Sequence, residues 1–371
     1  MQRYEIITNF ARMVEAKSIE TLSVTFTAGV IAGTGLSGAG PALPCLLLFL
    51  IILPLFFYHR LVRLPSEGSA AVMAVTFLLL GIFCAWNGAQ PGISLHTSLE
   101  ALASRAVEGL RRHISSLPFQ ADETASLLKA LLTGDRSGLS PQTKAVFRES
   151  GASHLLALSG LHIGIIYLIF DKLTSLIGHT EKARILRYAG IVSAAGFFTL
   201  MTGAGPSIVR AFLFITIGET LRLTGRPRSS LRVLSLALLV QLVLDPSAIR
   251  SLGFQLSYLA LAGISLLNPI LEKWYPEGRF PDPFRSIWKT ATLSISCQAF
   301  TAPLVWLRFH TFPTYFLITN LLAIPLTTAL MGIAILTVTL SAFGGCPVLL
   351  IKITDGVSRL LLFVLEVISS M

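Results

Sequence analysis

Ser159 and His162 stand three residues apart in the run Ser-Gly-Leu-His. That spacing puts two side chains on one face of a helix. A hydroxyl beside an imidazole is the start of nucleophilic catalysis, but the chemistry needs a third group to orient the histidine. Asp171 follows nine residues after His162, about half a turn away from that face, so it cannot serve from the same helix. The readings left open are hydrolysis with an outside partner, polar groups bonded between helices, and the lining of a mouth or pore. His154 lies at the start of the same apolar segment and shares these alternatives. A second chemistry is the handling of anions. Asp135 and Arg136 sit in Gly-Asp-Arg-Ser-Gly, which reads as a turn. They form either a fold-fixing, mouth-lining pair or a solvated ion pair worth under about 1 kcal/mol. Arg210 follows the break Gly203-Ala204-Gly205-Pro206, in the first turn of a new helix facing the outer leaflet. A cation at a helix N-terminus is an anion-binding arrangement; the alternative is an interfacial arginine that snorkels. Asp245, Gln255, Gln298, Asn320 and Pro325 are further polar or helix-breaking groups in or beside apolar runs, and such groups bond between helices more often than they bind ligands.

These groups are carried by apolar segments. The chain has 371 residues, 53% hydrophobic and 13% charged, against about 25% charged in soluble domains. This is the composition of an all-α polytopic membrane protein. Runs of spanning length lie near 21–38, 42–57, 69–89, 155–177, 188–204, 207–223, 232–246, 252–270, 288–306, 314–343 and 347–369. They predict about eleven transmembrane helices, with Pro325 splitting the 314–343 run into two half-helices. The net charge of +10 is accounted for by loops on one side, including Lys172, Lys182, Arg184, Arg187, Arg222, Lys273, Arg285 and Lys289, against Arg210, Arg250 and Arg308 on the other. The positive-inside rule then puts the N-terminus in the cytoplasm and residues 90–153 in the periplasm.

The outer segment has its own pattern. From Thr97 to Leu117, Leu99, Leu102, Val107, Leu110 and Ile114 mark one face, and Glu100, Arg105, Glu108, Arg111 and Arg112 the other. This predicts an amphipathic helix on the membrane surface or the channel mouth. Asp122 is expected to cap a second helix ending at Gly134. Ser140, with Pro141 as first helical residue, caps a third that stops at Gly151. Three segments are expected: transmembrane helices over 1–96, amphipathic periplasmic helices over 97–153, and a transmembrane core over 154–371.

Several function classes find no support. Cys45, Cys84, Cys297 and Cys346 have no CxxC spacing, so neither a disulfide framework nor a zinc site is expected. Gly33, Gly35 and Gly38 match GxGxxG formally but without the strand and acidic partner that a dinucleotide site needs. With Gly29 they read as close helix packing of the GxxxG type. There is no GxxxxGK[ST] and no HExxH, and no cofactor or metal is expected. The start, MQRYEIITNFARMVEAK, lacks the pattern of a cleaved signal peptide.

The stretch Gly134–Gly164, GDRSGLSPQTKAVFRESGASHLLALSGLHIG, resembles the signature of the ComEC family of competence proteins. Two further blocks follow in the family's order, DPSAIRSLGFQLSYLALA at 245–262 and APLVWLRFHTFPTYFLITNLLAIP at 302–325. The resemblance implies a bacterial inner-membrane channel that passes single-stranded DNA into the cytoplasm during natural transformation, without covalent chemistry. It implies that Asp135, Arg136, His154, Ser159, His162, Arg210, Asp245, Gln255, Gln298, Asn320 and Pro325 frame the DNA path. The OB-like and metallo-β-lactamase-like domains of full-length members are not found in the sequence, so a nuclease and a periplasmic DNA receptor are expected in trans. A cytoplasmic ATPase or strand-binding protein would supply direction, and homo-oligomerisation is left open. The alternatives are a membrane-embedded hydrolase or small-solute transporter on the same scaffold, and a relative that only scaffolds.

Overall fold

The computed structural model describes residues 18–35, 47, 51, 66–87, 98–176, 178, 180–226, 228–275, 283–310, 315–345 and 348–370. The expected 42–57 run, apart from Leu47 and Ile51, lies outside them, as do Cys45, Cys346, Gly38 and the first seventeen residues. All regular structure among the described residues is helical: α1 (Ser18–Thr34), α2 (Ser66–Asn87), α3 (Ser98–Ser116), α4 (Asp122–Thr133), α5 (Pro141–Glu149), α6 (Ser153–Leu156), α7 (Gly160–Ser175), α8 (Glu181–Met201), α9 (Pro206–Leu223), α10 (Ser230–Leu244), a short 3₁₀ turn (Pro246–Arg250), α11 (Leu252–Leu266), α12 (Asn268–Glu272), α13 (Pro283–Phe309), α14 (Phe316–Ala342) and α15 (Val348–Ser369). Apart from 42–57, the described residues of each apolar run are mainly helical, the 155–177 run being divided between α6 and α7 and the 252–270 run between α11 and α12. Two stretches, Leu252–Glu272 and Phe316–Ala342, are long and apolar enough to cross a membrane, and Ile19–Thr34, Ala71–Trp86 and Ser230–Leu244 are shorter apolar helices. Others are diluted by charge: α8 opens with Glu181, Lys182, Arg184 and Arg187, and α15 holds Lys352, Asp355, Arg359 and Glu366.

Beside an apolar core, the surface carries many large apolar side chains while several polar groups are buried. Leu168, Phe197, Trp306, Leu322, Leu349 and Phe363 are exposed, whereas Thr199, Arg210, Glu219, Ser296, Thr327, Thr337 and Asp355 are buried. Water as the only solvent would favour the reverse. Lipid favours apolar residues outside and polar ones inside, where they find partners. This is a membrane protein.

The chain divides into two units, Met1–Leu95 with Arg226–Tyr258, and His96–Gly225 with Leu259–Met371. In the first, α1 and α2 are in backbone contact. A Cβ built at Gly29 would stand 2.0 Å from the Leu78 carbonyl oxygen, and one at Gly81 would stand 2.2 Å from that of Phe26. The sequence expectation of close glycine packing is met here. The α10 helix packs on α1, and Tyr258 donates its hydroxyl hydrogen to Gln241 Oε1 at 3.0 Å.

In the second unit one core joins α4, α5, α6, α14 and α15 through Leu127, Leu131, Phe147, Leu155, Met331 and Leu361. The α3 helix is amphipathic as expected; Ala103, Val107 and Ile114 of its apolar face are buried and the helix packs on α8, α4 and α14 of this unit, while Leu99 and Leu102 stay exposed. A smaller cluster, Ile163, Ala195 and Ile208, holds α7, α8 and α9 together. One expectation fails: α14 runs as a single 27-residue helix with Pro325 inside it. Proline removes one N–H from the ladder, but an apolar surround leaves the flanking amides no better partner than the helix itself, so the segment stays helical.

Candidate functional site

The turn between α4 and α5 is built as its residues dictate. Gly134 ends α4 in the left-handed region, φ 77°, which favours glycine. A Cβ there would also meet Leu158 Cδ1 at 2.5 Å. Ser140 caps α5 by accepting from the Thr143 amide at 3.1 Å, with Pro141 as first helical residue. Gly151, φ 77°, follows its end. The cap of α4 differs from expectation: Ala121 is the N-cap, and Asp122 is the first helical residue.

Within the turn, Asp135 accepts from the Ser137 amide at 3.1 Å and from its hydroxyl at 2.6 Å. Its other oxygen lies 3.5 Å from Arg111 Nε on α3, and that N–H also donates to Thr133 Oγ1 at 3.1 Å. The Ser137 bonds foremost, and then the charges of Arg111 and Lys129, hold the Asp135 carboxyl below its ordinary value. Arg136 donates from Nε to the Leu156 carbonyl at 3.0 Å. The pair thus acts as a clasp, one member gripping α3 and the other α6.

Ser159 and His162 do meet, but not as neighbours within one helix. Ser159 is the N-cap of α7, and His162 reaches back to it in a capping box. The Ser159 amide donates to His162 Nδ1 at 3.2 Å, and Ser159 Oγ accepts from the Leu161 amide at 3.3 Å while lying 3.2 Å from the same Nδ1. With Nδ1 accepting from an amide, the imidazole proton sits on Nε2, which is buried without a hydrogen-bond partner. Among the described residues no carboxylate is bonded to the ring. His154 belongs to a separate helix, α6, where its Nδ1 lies 3.1 Å from the Gly151 carbonyl. The box satisfies the helix end and leaves the nucleophile–base reading without its third member.

Arg210 is the fifth residue of α9 and is 3% exposed, so it is packed inside the second unit rather than turned outward to snorkel. The turn before it places Gly203 at φ 77° and Ala204 at φ 48°. Gly205 caps α9 without a side-chain bond.

The opposite ends of these helices carry a charged knot that the sequence reading missed. Asp171 on α7 pairs with Arg187 on α8 and lies 3.2 Å from Arg222 on α9. Arg222 also lies 3.6 Å from Glu219, which accepts from the Tyr167 hydroxyl at 2.8 Å. Arg187 and Arg222 look like loop charges in sequence. The available signal was Asp171 and Glu219, carboxylates at the ends of apolar runs, with Arg222 three residues after Glu219.

The remaining candidates are held locally. Asp245 ends α10, is exposed, and accepts from the Ser247 amide at 3.1 Å and hydroxyl at 2.5 Å. Gln255 donates to the Ile249 carbonyl at 2.8 Å. Gln298 is half-buried in α13, and Pro325 is exposed on α14. Asn320 Oδ1 is buried without a hydrogen-bond partner. Asp245 and Gln255 belong to the first unit and the others to the second. An apolar cleft of about 310 Å³ in the second unit is lined by Phe170, Phe197, Phe198, Met201 and Met331 among others. Among the described residues no group of three His, Cys, Asp or Glu side chains gathers to hold a metal ion.

Residues 131–371 match the family described as Competence protein. The chain is 28% identical over 235 residues to the uncharacterized protein YcaI of Escherichia coli (strain K12), covering 62% of this chain and 30% of that protein. It is 27% identical over 244 residues to ComE operon protein 3 of Bacillus subtilis (strain 168), covering 63% and 30%. It is 28% identical over 174 residues to Competence protein ComA of Neisseria gonorrhoeae, covering 46% and 25%. The chain thus spans about 30% of the length of the first two curated relatives. No solved structure matches. The family match covers more than half of the residues and contains the clasp from Asp135 onward, and by it this chain belongs to the ComEC family of competence proteins.

Proposed function

We propose that this chain is the membrane core of a conduit that passes single-stranded DNA into the cytoplasm during natural transformation. It lies in the bacterial inner membrane with its N-terminus cytoplasmic, about eleven spans, an outer helical segment over 97–153 and the channel core over 154–371. The observation that carries the reading is the buried arginine: Arg210, one turn into α9, is enclosed within a unit whose core is largely apolar and whose surface also carries large apolar side chains. A cation inside such a unit is costly and marks a functional place. A strand of phosphates needs distributed positive charge and hydrogen-bond donors rather than a deep pocket. Membership of the competence family supports DNA as the cargo. The Asp135–Arg136 clasp and the Ser159–His162 cap position the mouth, while the receptor, the nuclease and the ATPase or strand-binding protein act from other chains.

The test is transformation frequency in the native host, shown first to be transformable, comparing wild type, a deletion, and the deletion complemented with Arg210→Ala or Arg210→Lys. The expected result is loss by orders of magnitude on deletion, with labelled DNA stalled outside the cytoplasm, and partial recovery with Lys but less with Ala. DNA reaching the cytoplasm of the deletion strain at the wild-type rate rejects the conduit.

A further inference from the structure

The helices α12 and α13 meet at a fastened corner. Trp288, in the second turn of α13, donates its indole N–H to the Leu271 carbonyl at 3.2 Å, and its ring lies 6.0 Å from that of Tyr275, tilted by 38°. On this base two other aromatic rings face outward: Trp274 is 70% exposed and Phe284 is 67% exposed. Between and beside them stand Lys273, Arg285 and Lys289, all exposed. Lys289 lies 3.6 Å from Glu272. Among the described residues of the corner, three cations stand against one carboxylate. Both exposed rings lie next to cationic residues rather than within an apolar run.

Exposed ring faces beside lysine and arginine are the elements that bind single-stranded nucleic acid without sequence preference, bases stacking on the rings and phosphates meeting the cations. Duplex DNA offers the phosphates but hides the base faces. We propose that the α12–α13 corner is a docking platform for single-stranded nucleic acid, with Trp274 and Phe284 as stacking faces and Lys273, Arg285 and Lys289 as phosphate contacts. It deepens the conduit reading and rests on it: these cations belong to the loops assigned to the cytoplasmic side, so the platform receives the strand as it emerges. The competing use of such residues is an aromatic belt at the membrane interface.

The full chain, purified in detergent, is titrated with a fluorescent oligothymidine of about twenty nucleotides over a series of salt concentrations. Every variant is checked for a monodisperse profile and an unchanged melting temperature. The expected results are fivefold or more weaker binding for Trp274→Ala, corresponding to at least about 1 kcal/mol of stacking, recovery with Trp274→Phe, and no recovery with Trp274→Leu, which keeps the apolar contact but not the ring face. Lys273→Gln with Arg285→Gln lowers the slope of log affinity against log salt by about 0.7 per cation removed. A blunt duplex competes poorly. Wild type binding the strand while the Trp274 and cation variants bind equally well, or a duplex competing as well as the single strand, overturns the platform and leaves the conduit standing. Wild type that binds no oligonucleotide even at low salt overturns both.

Discussion

Gly29 and Leu78 touch through their backbones: a Cβ on Gly29 would lie 2.0 Å from the Leu78 carbonyl oxygen, well inside any real contact. The obstacle is backbone rather than a flexible side chain, so the two helices must separate to admit one. Gly29→Leu is expected to destabilise the first unit by about 1–3 kcal/mol, as overpacking does, and to lower the melting temperature of the purified chain. Gly109 on α3 is the control, because nothing lies within 4 Å of its Cβ position. Gly109→Ala is expected to be neutral or stabilising by up to about 1 kcal/mol, since alanine removes glycine's backbone entropy cost. Equal melting temperatures for Gly29→Leu and wild type would refute the close packing.

The Asp135 carboxyl, held below its ordinary value by Ser137 and then by Arg111 and Lys129, makes the clasp dependent on acid. The folded state favours the charged form. Its contribution is therefore full above the unfolded value of about 3.9 and is lost as pH falls through the depressed folded value. Asp135→Asn is expected to melt below wild type at neutral pH, with the gap constant down to about pH 5 and closing in stronger acid. Melting curves from pH 7 to the acid limit of the detergent would read this directly, and a gap that widens on acidification would contradict it.

Ser159 as a cap and Ser159 as a nucleophile predict opposite outcomes for one substitution. Asparagine caps helices about as well as serine, whereas alanine costs about 1 kcal/mol. Ser159→Asn is expected to preserve melting temperature and transformation, and Ser159→Ala to lower stability while leaving measurable transformation. Abolished transformation in a stable, well-expressed Ser159→Asn protein would restore the hydrolytic reading.

Local chemistry was legible in the sequence. Ser140-Pro141, Gly134 and Gly151 each depend on their own φ angle or on an amide a few residues away, so turn and cap rules suffice. The GxxxG spacing of Gly29 and Gly33 was equally readable, since small residues at that period have one common use. The knot was not: the bonds joining Asp171 to Arg187 and Arg222 depend on how three helices pack, and nothing in the local pattern of Arg222 separates a knotted arginine from a topological one. The enclosure of Arg210 was not legible for the same reason, because it depends on tertiary packing that sequence position does not encode. Pro325 misled in the other direction, since a breaker in water is a tolerated guest where the neighbouring amides have no water to turn to.

The unbroken α14 has a further consequence. Its 27 residues rise about 40 Å, while the hydrocarbon layer is about 30 Å thick. A helix parted at Pro325 could spend that excess at the break. A continuous one must lean or lift its ends into the headgroups, and its rigid packing on α15, through the Thr337–Thr354 contact at 3.1 Å, carries its neighbour along. On the proposed reading of α14 as a span, hydrophobic mismatch acts on this protein, and the acyl-chain length of the surrounding bilayer sets how far the helix must lean.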